Sequence, residues 1–558
     1  MKHFKQIISS PKLPYLFYSF WLLLALLQAN YTELLSDEAY YWKYSQFLDW
    51  GYFDHPPVVA LLIKIGTSLF SGELGVRVVF TVMGTATIFL IERIINPQNK
   101  SLFYVIVSSV GLLYFTSVLA LADVPLLFFT ALFFYILKLY LNKSTIGLAL
   151  LLGLTIACLL LSKYHGFVII FIALIANLKL LKKGQFYIIV LTALLLVIPH
   201  FSWQLNNDFP SIQYHFHDRN LSGYTLSNSL NFVVAQLILF GPFIGIILWI
   251  SFFRTTVKSQ LEKTLYWQVI GILVFFFLLT FNGKVQGHWT SILVIPLLYF
   301  GYHYLHNNSR LKKLTFYHWP IALLLVIVVK LGLVINLPFG EKVNSLFSDY
   351  KGHEDWAKAI QNKTKELPVV FMNSYQNASK YEFYTKQKAI TISNVMSRKN
   401  QYNLWKFEDS LRGKTVALIP NYVVKEFETI EGTTPAMQFG IVENFQYYSQ
   451  VELVPKFWSK KITIIDSLEV NLEMLYSDSF SFLENTSYPS YISYVFFEEN
   501  KYLSQHKTAI NCAKVDRKNI SLKMNLPEKK GTYQVYFSIK TGRFPVGLNS
   551  RVYELTLE

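Results

Sequence analysis

Apolar runs long enough to cross a bilayer recur through roughly the first 340 residues, each closed by a short polar stretch. A hydrocarbon core of ~30 Å needs about 20 such residues in a helix. By that measure about eleven spans are expected, at residues 13–29, 74–92, 102–120, 124–141, 145–162, 164–180, 185–203, 229–252, 265–281, 289–305 and 317–337. The run 57–70 is apolar but too short to span, and reads as a helix lying in the interface, held by Tyr52, Phe53 and Phe70.

The cations alternate with the spans. Arg93 and Lys100, Lys138 and Lys143, the group Lys179, Lys182 and Lys183, the group Arg254, Lys258 and Lys263, and the group Arg310, Lys312 and Lys313 all fall on one side. The other side holds mainly Lys43, Lys64, Lys163, Arg219 and Lys284. Cytoplasmic loops collect Lys and Arg, so the pattern predicts a cytoplasmic N-terminus and extracytoplasmic loops at residues 30–73 and 204–228. The second of these carries Asp208, His215, His217, Asp218 and Arg219. Lys2, Lys5 and Lys12 precede the first span with no small-residue cleavage site after it, which predicts a retained signal anchor with Trp21 and Tyr31 at its interfaces.

After residue 338 the pattern changes to short β-branched runs, Pro368–Ser374, Ala389–Ser393 and Thr415–Tyr422, interleaved with helical stretches such as Glu354–Lys365. From about residue 460 only strand patterns remain, at 461–468, 490–497, 519–526 and 532–539. The expected fold class is a polytopic α-helical membrane protein with a C-terminal extracytoplasmic α/β plus all-β region. Its parts are 1–338 in the membrane, 339–460 α/β and 461–558 β-rich.

Composition agrees: 53% of residues are hydrophobic and 15% charged, which excludes an ordinary soluble enzyme. The net charge of +16 does not indicate a nucleic-acid partner, because the cations sit in short loops between spans rather than on one soluble face. The two cysteines, Cys158 and Cys512, lie far apart and provide no disulfide framework.

Against this background the ionisable residues at the extracytoplasmic span ends are informative. Asp37 and Glu38 follow the first span and precede Tyr40, Tyr41 and Trp42; a carboxylate at such a low-dielectric boundary suits general-base chemistry. Asp54 and His55 add a second acid/base pair before the rigid Pro56-Pro57. Asp123, followed by Pro125, reads equally as a helix start. Lys163-Tyr164-His165, Arg77, and Lys284 with His288 complete a set whose members alone are ordinary, but which gathers at one leaflet. Lys330 lies inside the last span, where either snorkelling or a lipid phosphate satisfies it.

Taken together, Asp37-Glu38-Ala39-Tyr40-Tyr41-Trp42, Gly51-Tyr52-Phe53-Asp54-His55-Pro56-Pro57, Ala122-Asp123-Val124-Pro125, Ser162-Lys163-Tyr164 and Gly287-His288-Trp289 resemble the GT-C superfamily of polyprenyl-phosphate-sugar-dependent glycosyltransferases. Protein O-mannosyltransferases and the aminoarabinose transferase of lipid A belong to that group. The resemblance covers roughly residues 30–300, and the segment Ser379–Tyr384 looks like part of the family's outer domain. It implies transfer of a monosaccharide from a polyprenyl-phosphate donor to a glycolipid, glycan or protein acceptor, with inversion and with Asp37 as base. Glu38 is the second catalytic candidate. The substrate-binding candidates are Asp54, His55, Arg77, Asp123, Lys163, Tyr164, Lys284 and His288. Some relatives have Glu-Lys-Pro-Pro where this chain has Asp54-His55-Pro56-Pro57, so a phosphate-gripping cation is lost at position 55. A divalent metal ion is left open, with Glu38, Asp54, His55 and His288 as candidate ligands and no fixed-spacing motif among them. The competing readings are a transporter or lipid flippase, whose sites lie near the midplane, and a membrane glycan ligase.

Overall fold

The computed structural model describes residues 12–216, 223–433, 435–463, 466–483, 488–542 and 544–558. Lys2, Lys5, His217, Asp218 and Arg219 of the sequence reading lie outside the described residues. The chain divides into two compact units, Met1–Gly352 and His353–Glu558.

The described part of the first unit is helical. Among the described residues, six helices are long and apolar enough to cross a membrane: Leu13–Tyr31, Gly72–Ile95, Asp123–Asn142, Gly184–Asn206, Gln260–Leu279 and Ser309–Gly332. The other expected spans are helical but shorter or broken. Residues 102–120 split at Val110 into Lys100–Ser109 and Gly111–Phe115. Residues 229–252 split into Leu226–Ile238 and Ile244–Phe253, with Gly241 between them at φ 111°, a conformation that favours glycine. Residues 289–305 begin as a 3-10 turn, Gly287–Leu293, and continue as Val294–Asn307. Hydropathy registers an apolar run, not the backbone break within it.

The expected interfacial run forms the helix Val58–Leu69. It packs on Gly72–Ile95 so closely that a Cβ at Gly66 would sit 2.2 Å from the Gly75 carbonyl oxygen. Small residues permit this backbone approach. The core of the unit is a continuous set of buried side chains running from Trp21 through Phe134 and Ile169 to Phe300.

The second unit starts with the helix His353–Thr364 and a five-stranded sheet. Its strands lie in the order Ala389–Ile392, Val369–Met372, Val416–Ile419, Met437–Val442, Glu428–Ile430, the first three parallel and the last two antiparallel. The β-rich remainder places a five-stranded sheet, Lys501–Asn511, Ser490–Glu498, Gly531–Thr541, Tyr553–Leu557, Lys461–Ile462, with a three-stranded one, Ile520–Asn525, Ser467–Leu475, Glu452–Pro455. Alternating inward residues such as Val470, Leu472, Ile520, Leu522, Val535 and Phe537 form their shared core. Glu452–Pro455 joins this region from upstream of residue 460, because its partner strand Ser467–Leu475 would otherwise be an open edge.

Candidate active site

The helix Ser36–Gln46 places both acids in its first turn, where the exposed N–H groups favour negative charge. Successive helical residues point about 100° apart, so Asp37 and Glu38 face different surroundings. Asp37 is exposed, while Glu38 is fully buried. Glu38 accepts hydrogen bonds from Arg77 Nε at 2.7 Å, Arg77 Nη2 at 2.5 Å, the Leu35 N–H at 3.0 Å and the Ala120 N–H at 2.7 Å. The remaining guanidinium donors go to the carbonyl oxygens of Ala29, Thr32 and Glu33.

Arg77 has five N–H groups, and each has a protein acceptor in an environment with no solvent exposure. In this arrangement no Arg77 N–H is left over for the donor phosphate that the sequence reading expects it to meet. Glu38 likewise has no oxygen left for a substrate or metal ion. The pair ties the end of the first span, the Ser36–Gln46 helix, the start of Gly72–Ile95 and the turn before Asp123 into one block. Tyr350, in the 3-10 turn Ser345–Tyr350, returns to this pair, and its phenol is pushed up by burial and then by Glu38 and Asp349.

Asp123 follows Ala120 by three residues. Its carboxylate holds Lys163 Nζ at 2.8 Å through both oxygens, with side chains 15% and 11% exposed. His288 and His165 lie within electrostatic reach of the same carboxylate, and the His165 ring packs 5.1 Å from Trp289. Thus Asp123, Lys163, His165 and His288 meet although they come from three separate inter-helix junctions. Lys284 is exposed in the loop preceding His288, and no ion pair to a described residue fixes it.

A third cluster is built around Asp54. Tyr44 donates to its Oδ1 at 2.6 Å, and His55 Nδ1 lies 3.1 Å from the same oxygen. Tyr41 Oη is 3.2 Å from His55 Nε2, and His215 Nε2 is 3.2 Å from the Asp54 carbonyl oxygen. Burial, then the Asp54 charge, push the Tyr44 phenol well above its ordinary range, which keeps it a donor. Tyr164 joins this cluster to the helix Gly184–Asn206: its hydroxyl is 3.3 Å from His200 Nε2 and accepts from Gln204 at 2.9 Å. The Val58 N–H donates to the Leu161 carbonyl oxygen at 3.2 Å, linking the loop to the turn that carries Lys163.

Tyr41, Tyr44, His200, Gln204 and Tyr350 were not read as site residues from the sequence. The first two follow the Asp-Glu pair at helical spacing and were legible as one face; the others have no local signal. Among the described residues no three His, Cys, Asp or Glu side chains come together in a group able to hold a metal ion.

The family of dolichyl-phosphate-mannose-protein mannosyltransferases matches residues 54–203, which include Asp54, His55, Arg77, Asp123, Lys163 and Tyr164. The apo structure of ArnT from Cupriavidus metallidurans aligns with a TM-score of 0.57 over 76% of this chain and 97% of ArnT, at 13% identity. Fold and motifs then agree. The chain has the fold of ArnT, and its residues 54–203 are similar to that mannosyltransferase family. Another similar structure is ArnT bound to undecaprenyl phosphate, with a TM-score of 0.55, 13% identity, and coverage of 77% of this chain and 98% of that one. Lipid A galacturonosyltransferase RgtD of Rhizobium johnstonii is 26% identical over 301 residues, 49% of this chain. The match spans 62% of the relative's length.

Proposed function

We propose that this protein is an integral inner-membrane glycosyltransferase of the GT-C superfamily that moves a monosaccharide from a polyprenyl-phosphate donor to a glycolipid, glycan or protein acceptor on the outer face. The observation that carries this reading is the sealed Glu38–Arg77 pair. It fixes exposed Asp37 on the first turn of its helix and, through the Ala120 N–H, ties that turn to the one bearing Asp123, whose carboxylate holds Lys163 from another junction. The positive-inside pattern supports an orientation with this end of the helices outside and the N-terminus in the cytoplasm. The donor lipid is supported by ArnT, which binds undecaprenyl phosphate.

In the proposed step the acceptor oxygen or nitrogen attacks the anomeric carbon while the bond from that carbon to the phosphate oxygen breaks. The phosphate leaves with the electron pair, and the acceptor proton passes to the Asp37 carboxylate. One displacement inverts the anomeric centre. The leaving phosphate needs charge neutralisation more than protonation. Lys163, Lys284 and His288 supply it, Lys163 by turning its ammonium partly from Asp123 to the phosphate. Asp54, His55 and Tyr164 shape the floor, and Arg77 and Glu38 are positioning residues.

Replacing Asp37 with Asn keeps the shape and removes the base, so turnover should fall by about 10²–10⁴. Near-normal sugar transfer by folded Asp37→Asn protein overturns the assignment.

A further inference from the structure

The residue left without a role is Lys330, in the last turn of the helix Ser309–Gly332. It stands at one end of a cavity of about 280 Å³ between this helix and Leu13–Tyr31, whose walls include Leu13, Ala25, Phe316 and Leu323. The polar side chains along this cavity are satisfied by the protein. Trp21 Nε1 donates to Ser117 at 3.0 Å, Trp319 Nε1 to Ser108 at 2.8 Å, and Tyr114 to the Ser108 carbonyl oxygen at 3.1 Å. Their bonds face one another, and what remains for an occupant is apolar.

Lys330 differs. Among the described residues its ammonium has no hydrogen-bond or ion-pair partner, only the Tyr114 ring at 5.7 Å. Three N–H donors at the mouth of an apolar slot call for acceptors. The backbone at this point is fixed, since Gln28 donates to the Lys330 carbonyl oxygen at 3.3 Å.

We infer that this groove is a binding site for one acyl chain of an anionic phospholipid, with the phosphate on Lys330. Three observations select that occupant. The lining runs from Phe316 to Lys330, about 21 Å at 1.5 Å per residue, which is shorter than the ~30 Å core and suits a single acyl chain rather than a spanning segment. A polyprenyl chain several times longer would overrun it, and the volume is too small for a partner helix. The single unpaired cation selects a phosphate diester without a neutralising choline. The site is separate from the sugar-transfer reading, since nothing in it uses Asp37 or Lys163.

The test is lipid retention by purified full-length protein after exchange into detergent with equal amounts of phosphatidylglycerol and phosphatidylcholine of identical chains, read by native mass spectrometry. A parallel arm replaces phosphatidylglycerol with undecaprenyl phosphate. Wild type should retain phosphatidylglycerol over phosphatidylcholine by about tenfold, the scale of one charge-assisted hydrogen bond. Lys330→Met should bring the two to parity, Lys330→Arg should keep the preference, and Leu323→Trp should cut retention of both lipids by filling the slot. Parity in the wild type, an unchanged preference in Lys330→Met, or undisturbed retention in Leu323→Trp overturns the site. Stronger retention of undecaprenyl phosphate than of phosphatidylglycerol overturns the choice of occupant. Should Lys330→Met fail to fold, the Arg and Trp variants decide. Sugar transfer is not read, so failure of the catalytic proposal leaves this outcome intact.

Discussion

Glu38 in the first unit and Glu408 in the second are both almost completely buried, yet their surroundings differ. Glu38 is met by a guanidinium on two sides and by two backbone N–H groups. Glu408 is met by the Ser449 hydroxyl, and no cation pairs with it among the described residues. Burial raises its carboxyl to about 7. One buried acid is a keystone joining four segments of chain; the other has, among the described side chains, only a hydroxyl to hold its charge. The Asp123–Lys163 pair stands between them, partnered but reachable by solvent.

The largest effect should come from breaking the keystone. Arg77→Ala leaves Glu38 buried without its cation, which typically costs about 3–5 kcal/mol. The thermal midpoint of the purified protein should collapse, and Arg77→Lys should rescue little because one ammonium cannot span five acceptors. A near-wild-type midpoint for Arg77→Ala would show that the buried pair is not a keystone.

Glu408 should make the second unit sensitive to pH. Its folded pKa is raised above the unfolded value, so its contribution is complete below about pH 4.5 and is lost as pH rises through about 7. The full swing is of order 3 kcal/mol, from 1.36 kcal/mol per unit. Hydrogen exchange at residues 401–411 should speed up between about pH 5 and 8 beyond its intrinsic rate increase, and Glu408→Gln should abolish the excess. Equal pH response in the Gln variant would show that another group titrates.

The smallest effect separates stability from binding. Lys163→Ala removes a partly exposed cation and should weaken donor binding by about tenfold, the value of a charge-assisted contact, measured by titration with polyprenyl phosphate. Its thermal midpoint should fall less than that of Arg77→Ala. Unchanged donor affinity would take Lys163 out of the site.

Much of this organisation was readable along the chain. The spans follow from apolar run length, and the strands at 369–372, 389–392 and 416–419 fall within the β-branched runs that predicted them. The strands Lys501–Asn511 and Ser467–Leu475 were less visible: polar residues such as Gln505, His506 and Lys507 interrupt the first, and the second faces the core only on alternate positions. The acids Asp37, Glu38, Asp54 and Asp123 stand out in the sequence against apolar neighbours. Their partners do not, since Arg77 looks like a free cation until its five acceptors are counted.

The amino-acid order alone determined where chain enters and leaves apolar surroundings, because transfer of a run of side chains from water to hydrocarbon adds up residue by residue and needs no knowledge of neighbours. Which charges are spent and which remain available was decided only by the folded packing. Hydrogen bonding is pairwise and directional, and the partners of Glu38 and Arg77 lie up to 82 residues apart. No local pattern encodes that separation, so two adjacent acids, Asp37 and Glu38, acquired opposite fates within a single helical turn.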